Sequence, residues 1–135
     1  MPTPRFIILA DGEFGPLHSK TANSLIRYRP ERVLAVVDHS HAGQTCQDVL
    51  GFGGAIPVVA TMDEGLALGP DAVLIGIAPV GGRLPAEWRE WLGRALAAGC
   101  DLWSGLHTFL GEDLVLAEAA RQNGRRIFDL RKPPP

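Results

Sequence analysis

Short runs of consecutive apolar residues alternate along the chain with segments of helical periodicity. Because these runs lack the in–out alternation of a half-exposed strand, they predict strands that are covered on both faces. The six predicted strands cover residues 6–10, 33–37, 56–60, 72–77, 101–104 and 126–130. The clearest helix is predicted over residues 85–98, where apolar side chains recur three and four residues apart and Gly99 is typical of a helix end.

Further helices are predicted between the other strands, over residues 17–28, from Thr61 onward and over 112–123. Residues 45–50 are expected to form only a turn or two. Strict alternation of strands and helices favours an α/β fold with parallel strands. We therefore predict a Rossmann-like, doubly wound parallel sheet of about six strands, in the order 3-2-1-4-5-6, with helices on both faces.

Composition narrows the class of protein. The 135 residues are 46% hydrophobic and 21% charged, which predicts a single folded domain over residues 1–132, with the proline-rich residues 133–135 as a terminus or the start of a linker. The net charge of −2 disfavours nucleic acid and anionic membranes as partners. The chain has two isolated cysteines, and it shows neither a secretory signal pattern nor an apolar run long enough for a bilayer. These features favour a cytoplasmic protein.

Two glycine-rich loops are predicted where a ligand binds in this fold. Ligands of doubly wound sheets lie beyond the carboxyl ends of the strands, at the crevice between the first and fourth strands. The candidate contacts there are residues that let a ligand approach the backbone closely, namely Gly12, Ala78, Pro79, Gly81 and Gly82. The first loop has the pattern G-x-x-G rather than the dinucleotide fingerprint G-x-G-x-x-G, which disfavours a standard NAD site.

Polar residues near the same edge supply further candidates. Lys20 and Thr21 open the first helix, where Lys20 is either a contact for phosphate or carboxylate or a solvated surface lysine. Asp38 ends the second strand, where an acidic residue binds a ribose hydroxyl or, equally, caps a turn.

The polar loop that follows Asp38 has two interpretations. Ser40, Gly43, Gln44 and Thr45 either contact a phosphate or ribose or form a capped surface loop. Metal binding by Asp38 with His39 and His41 is disfavoured and no metal is expected, because an H-x-H pair faces one side only when the strand continues through it.

Ser104 and Gly105, at the end of the fifth strand, are further candidate contacts for the ligand, and His107 follows them. His107 is the candidate catalytic residue, because a histidine beside the crevice can move a proton near neutral pH. A capping Ser104 with a structural His107 is the alternative. Covalent catalysis is not expected, since the chain lacks a G-x-S-x-G motif and any local signature of an activated cysteine.

Several segments, in the same order along the chain, resemble one known family. They are KTAN at 20–23, IRY at 26–28, AGQT at 42–45, QDVLGFGG at 47–54, IGIAP at 75–79, GGRLP at 81–85, SGLH at 104–107 and DLRKPP at 129–134. The family is the N-terminal Rossmann-like domain of bacterial and archaeal proteins long labelled a domain of unknown function, whose longer members are described as D-glutamate N-acetyltransferases. A looser similarity links the chain to CoA-binding Rossmann domains such as that of the succinyl-CoA synthetase alpha subunit, on the order of Gly43, Pro57-Val58, Thr61 to Glu64 and Pro79 along the chain.

The resemblance implies acyl transfer from acetyl-CoA to the amine of an acidic amino acid. It also implies a C-terminal partner domain with a phosphate-loop-like sequence, as in the longer members. Gln44 stands where a basic residue often follows the Ala-Gly pair. The resemblance therefore leads to a nucleotide- or CoA-binding module, inactive by itself, with CoA, acetyl-CoA or another nucleotide as its ligand and no tightly bound cofactor.

Two alternatives remain open. One is an NAD(P)-binding oxidoreductase domain, which would need a substrate domain that 135 residues cannot hold. The other is a non-catalytic interaction domain, in which Trp88, Trp91 and Trp103 help to form a homo-oligomer instead of lying in the core. A homo-oligomer is expected for this chain whichever of these functions it has.

Overall fold

The computed structural model describes residues 4–77, 85–104 and 113–130. Its centre is a six-stranded sheet in the order β3-β2-β1-β4-β5-β6, in which every neighbouring pair is parallel. The strands are β1 (Phe6–Leu9), β2 (Val33–Val37), β3 (Val58–Val59), β4 (Ala72–Ile75), β5 (Asp101–Ser104) and β6 (Ile127–Asp129). The predicted fold class and strand order are confirmed.

Five α-helices are described between the strands. They are α1 (Lys20–Tyr28), α2 (Cys46–Leu50), α3 (Met62–Leu66), α4 (Ala86–Ala97) and α5 (Leu114–Gln122), with short 3-10 turns at Pro30–Arg32 and His39–His41. None of these helices combines the length and the apolar composition that crossing a bilayer requires.

Side-chain caps determine where three of the helices begin. The Thr45 hydroxyl accepts from the Asp48 N–H at 3.2 Å and the Asp48 carboxylate accepts from the Thr45 N–H at 2.9 Å, which starts α2. Thr61 starts α3 in the same way, by accepting from the Glu64 N–H. Helix α5 starts two residues later than predicted, because Asp113 accepts from the first N–H groups of the helix.

The third strand is shorter than predicted, and the residues before it also contact the start of α2. Pro57 forms an isolated antiparallel bridge with Thr45, and the carbonyl of Ile56 accepts from the N–H of Cys46 at 2.8 Å. These contacts connect the strand entrance to the start of α2. Regular parallel pairing with β2 is left to Val58 and Val59.

The two halves of the sheet are covered unequally. Every residue of β1 and β4 is buried, and α1 lies so close to β4 that a Cβ on Gly76 would come within 2.7 Å of the Ala22 Cβ. In β5, by contrast, Leu102 and Ser104 are buried while Asp101 and Trp103 are partly exposed. The prediction that all strands are covered on both faces is therefore wrong for β5, because α4 packs against this strand while Trp103, on the face opposite to Leu102, stays partly exposed.

The three tryptophans divide between core and surface. Trp88 lies buried in the core, on the face of α4 that packs against the sheet. Trp91 is partly buried against that core. Trp103 packs edge-on to Phe6 and tilted against Phe128, on the half-covered face of β5.

Candidate functional site at the carboxyl edge of the first two strands

Asp38 is the buried centre of the polar cluster beyond β1 and β2. Its side chain has no solvent-accessible surface. One carboxylate oxygen, Oδ1, accepts from the Gly12 N–H at 2.8 Å, the Ser40 N–H at 3.1 Å and the Ser40 hydroxyl at 2.6 Å. The other oxygen, Oδ2, lies 2.6 Å from Nδ1 of His41. A single carboxylate therefore holds the loop after β1 to the loop after β2.

The ionised form of Asp38 is the stable one. Burial by itself raises the pKa of this carboxyl, but the hydrogen bonds from Ser40, His41 and the Gly12 N–H outweigh burial and leave the pKa below its usual value. The negative charge is thus kept in a water-free position by four protein contacts. Both oxygens are occupied by protein donors, so a ribose contact by Asp38 stays a prediction.

His41 presents one ring nitrogen outward from this cluster. Its Nδ1 faces Asp38, and its ring lies edge-on to Phe14 with centroids 6.5 Å apart. The side chain is 35% exposed, and no residue in the described ranges bonds to Nε2. Because an ionised carboxylate beside Nδ1 favours the tautomer with its proton on Nδ1, Nε2 carries the free lone pair. This is the geometry of a general base.

A second carboxylate–histidine pair lies beside the first. The Asp11 Oδ1 lies 2.7 Å from Nδ1 of His39 and accepts from the His39 N–H at 2.9 Å. The His39 side chain is 65% exposed. The hydrogen bond to Asp11, followed by the charges of Asp11, Asp38 and Glu87, raises the pKa of His39.

The same cluster has ligand atoms that a cation could use. Asp11, Asp38 and His39 place one such atom each within 4.8 Å of one another. A metal would have to replace contacts that these groups already make, since Asp38 is fully hydrogen-bonded and His39 is paired with Asp11. The sequence considered His41 as the third ligand, whereas the structure brings Asp11 into that position.

The predicted phosphate loop uses its backbone donors internally. The N–H groups of Gly43, Gln44 and Thr45 donate to Val58, His41 and Asp48, respectively. The Gly43 and Gln44 residues are exposed, and the Ser40 hydroxyl is committed to Asp38. Ligand contacts by these four residues stay predictions.

The loop before α1 is closed by a small network of its own. Ser19 is fully buried, its Oγ accepts from the Gly15 N–H at 3.1 Å, and the Asn23 amide donates to the Gly15 carbonyl at 2.9 Å.

The two predicted ligand contacts at the start of α1, Lys20 and Thr21, line different surface cavities. Lys20 lines a surface cavity of about 470 Å³ with Arg27, whose guanidinium lies 4.6 Å above the Phe52 ring, while Thr21 lines a groove on the sheet face.

The other half of the predicted crevice lies outside the described residues. That half comprises Ala78, Pro79, Gly81, Gly82, Gly105 and the predicted catalytic residue His107. Their roles stay predictions, whereas Ser104 is described and lies buried at the end of β5.

Sequence reasoning missed Asp11 and did not assign His41 a catalytic role. The available signals were an Asp directly after a buried strand and the three-residue spacing from Asp38 to His41, which one short turn brings together.

The strand order and a polar cluster at the carboxyl edge define the class as a Rossmann-like domain. Residues 39–133 match the family model described as the Rossmann-like domain of unknown function DUF1611_N, and the chain belongs to that family.

One relative and one solved structure agree with this family assignment, and a second solved structure shares the fold. The chain is 32% identical over 131 residues to D-glutamate N-acetyltransferase from Tritonibacter scottomollicae, covering 97% of this chain and 36% of that protein. A DUF1611 family crystal structure from Anabaena variabilis matches with 35% identity and a TM-score of 0.87, covering 98% of this chain and 38% of that one. Homoserine dehydrogenase from S. aureus, with 12% identity and a TM-score of 0.63 over 93% of this chain and 32% of that one, shares the fold alone. The chain thus spans little more than a third of its family relatives.

Proposed function

We propose that this chain is the nucleotide- or CoA-binding N-terminal module of a D-glutamate N-acetyltransferase-like enzyme. Further polypeptide, as in the longer relatives, would complete the active site. Family membership and similarity to an enzyme of that name support the reaction class. The observation that carries the proposal is the Asp38–His41 pair, which lies at the edge where Rossmann-like folds bind their ligands.

The chemistry of acyl transfer requires a group like His41. An amino acid amine is largely protonated at neutral pH and must lose a proton before its lone pair can attack a thioester carbonyl. In the proposed reaction the new C–N bond forms, the C–S bond breaks and the CoA thiolate leaves, while Nε2 of His41 takes the proton from the amine. Asp38 is then a positioning residue that orients the imidazole and fixes its tautomer. His107, the catalytic candidate predicted from the sequence, is the alternative base.

A nicotinamide-dependent oxidoreductase is the less supported alternative. The loop after β1 lacks the dinucleotide fingerprint G-x-G-x-x-G, and its Gly12 N–H donates to Asp38. The likeness to homoserine dehydrogenase concerns the fold and no ligand.

Calorimetric titration of the 135-residue chain with CoA, acetyl-CoA, NAD and ATP tests the binding role. We expect heat with CoA and acetyl-CoA, and a weaker affinity in Lys20→Gln, because Lys20 is an exposed cation at the start of α1 and has no acidic partner among the described residues. Arg121→Gln is the matched control, since Arg121 lies on α5 and pairs with Glu118. Absence of heat with all four ligands would remove the binding role.

A further inference from the structure

A groove on the sheet face is left open beside Trp103. Its floor consists of Phe6, Leu74 and Trp103, and the groove has a volume of about 380 Å³. The alternating burial of β5 shows the cause, since Leu102 is buried in the strand that packs against α4 while Trp103 lies on the opposite face and is partly exposed. Doubly wound sheets normally carry helices on both faces, so this half of the sheet lacks a covering layer among the described residues.

The wall of the groove is apolar near the sheet and positively charged above it. Tyr28 of α1 is 73% exposed at this wall. Arg29 and Arg32 lie beside it, and neither has a carboxylate within ion-pair distance in the described part of the chain. The groove therefore fits an apolar surface that is flanked by carboxylates.

The charge beside the groove and the path of the chain after β6 together indicate which polypeptide covers the groove. A second copy docked by two-fold symmetry would bring the arginines of both copies to one interface, where like charges repel. Leu130, which follows β6, is 51% exposed and lines the groove, so the chain leaves the sheet beside it. In the relatives about two thirds of the polypeptide lies outside the region that matches this chain.

We propose that this groove is the docking face for the polypeptide that follows β6 in the longer family members, which seats an apolar stripe over Trp103 and places carboxylates beside Arg29 and Arg32. The inference rests on the proposed function only in taking the longer relatives as the model of the whole protein. Its test involves neither CoA nor turnover.

Thiol labelling measures whether the groove is covered. Cys46 and Cys100 are buried, and burial raises their pKa values to about 12 and about 11, so they react slowly and give a low background. In Tyr28→Cys the new thiol lies on the groove wall. In the control, Leu114→Cys, it lies on α5, where Leu114 is 84% exposed.

The probe is the part of the Tritonibacter enzyme outside the matched 131 residues, added as a separate chain and, in a second arm, fused after Pro135. We expect each form to slow labelling of Tyr28→Cys at least tenfold and to leave Leu114→Cys unchanged. Adding Arg29→Glu and Arg32→Glu should restore fast labelling. The fused arm gives the same readout if the separate chain is insoluble.

Three results would overturn the proposal. The first is fast labelling of Tyr28→Cys in both arms. The second is protection that persists in the double charge reversal. The third is protection that grows with the concentration of the 135-residue chain alone, which would identify a second copy as the occupant.

Discussion

Two carboxylate–histidine pairs lie side by side at the carboxyl edge of β1 and β2, and they differ in burial rather than in distance. Asp38 and His41 are 2.6 Å apart, and Asp11 and His39 are 2.7 Å apart. The carboxylate of the first pair is fully buried and accepts four hydrogen bonds, whereas that of the second is 15% exposed, and the two histidines are 35% and 65% exposed, respectively. Since solvent screens an exposed pair and leaves a buried charge dependent on its partners, equal distances predict unequal effects.

The largest expected effect is on stability in Asp38→Asn. The amide removes the buried charge and places an N–H donor against one of the groups that now donate to Asp38. We expect a loss of about 2–4 kcal/mol in the free energy of unfolding, from broken charge-assisted hydrogen bonds at a buried site. Urea denaturation measures this loss. A value below about 0.5 kcal/mol would show that Asp38 is not needed to hold the loop after β1 to the loop after β2.

The next effect separates the two histidines in catalysis. In a fusion of this domain to the remaining part of the Tritonibacter enzyme, His41→Gln should lower kcat about 100-fold, the scale of general-base catalysis. His39→Gln should change kcat less than about threefold, because the His39 side chain is 65% exposed and is held less firmly than the 35% exposed His41. Equal effects of the two substitutions would contradict the assignment of the base.

A smaller effect is expected for the exposed pair. Asp11→Asn should cost less than about 1 kcal/mol in the free energy of unfolding, because its partner His39 is 65% exposed and ion pairs with an exposed member contribute little. The same urea denaturation series measures it. A cost equal to that of Asp38→Asn would show that burial does not set the difference between the pairs.

The acid dependence of stability should belong to Asp38. Its folded-state pKa is lowered, so the unfolded chain takes up the proton first as the pH falls. The contribution of Asp38 is then present above the ordinary Asp pKa of about 4 and is lost below it, as the pH falls through the folded-state value. Denaturation midpoints measured from pH 5 downward should fall less steeply in Asp38→Asn, and an unchanged slope would contradict the lowered pKa.

The smallest effect is expected from His39, with the opposite sign. Its pKa is raised in the folded state, so its contribution is complete below the ordinary His pKa of about 6.5 and is lost as the pH rises through the folded value. A slight decline of the midpoint above pH 6.5 should disappear in His39→Gln. A decline that persists would assign it to another group.

The fold was predictable because its signals are local. Apolar runs such as Val33–Val37 and capping residues such as Thr61 determine their own elements. The open face of β5 was not predictable, since D-L-W-S has no marker of what lies opposite Trp103. The Asp38–His41 pair required a turn geometry, and the Asp11–His39 pair joined residues 28 positions apart, which only the packing of β1 against β2 brings together.

Asp38 is expected to fix His41 with its proton on Nδ1 and a free lone pair on Nε2. Long-range ¹H–¹⁵N NMR of the imidazole rings in the 135-residue chain at pH 9, well above the ordinary His pKa of about 6.5, reads the tautomer directly. We predict a protonated Nδ1 and an unprotonated Nε2 for His41, with that preference weakened in Asp38→Asn. A proton on Nε2, or an equal mixture of tautomers in the unmodified chain, would contradict the account.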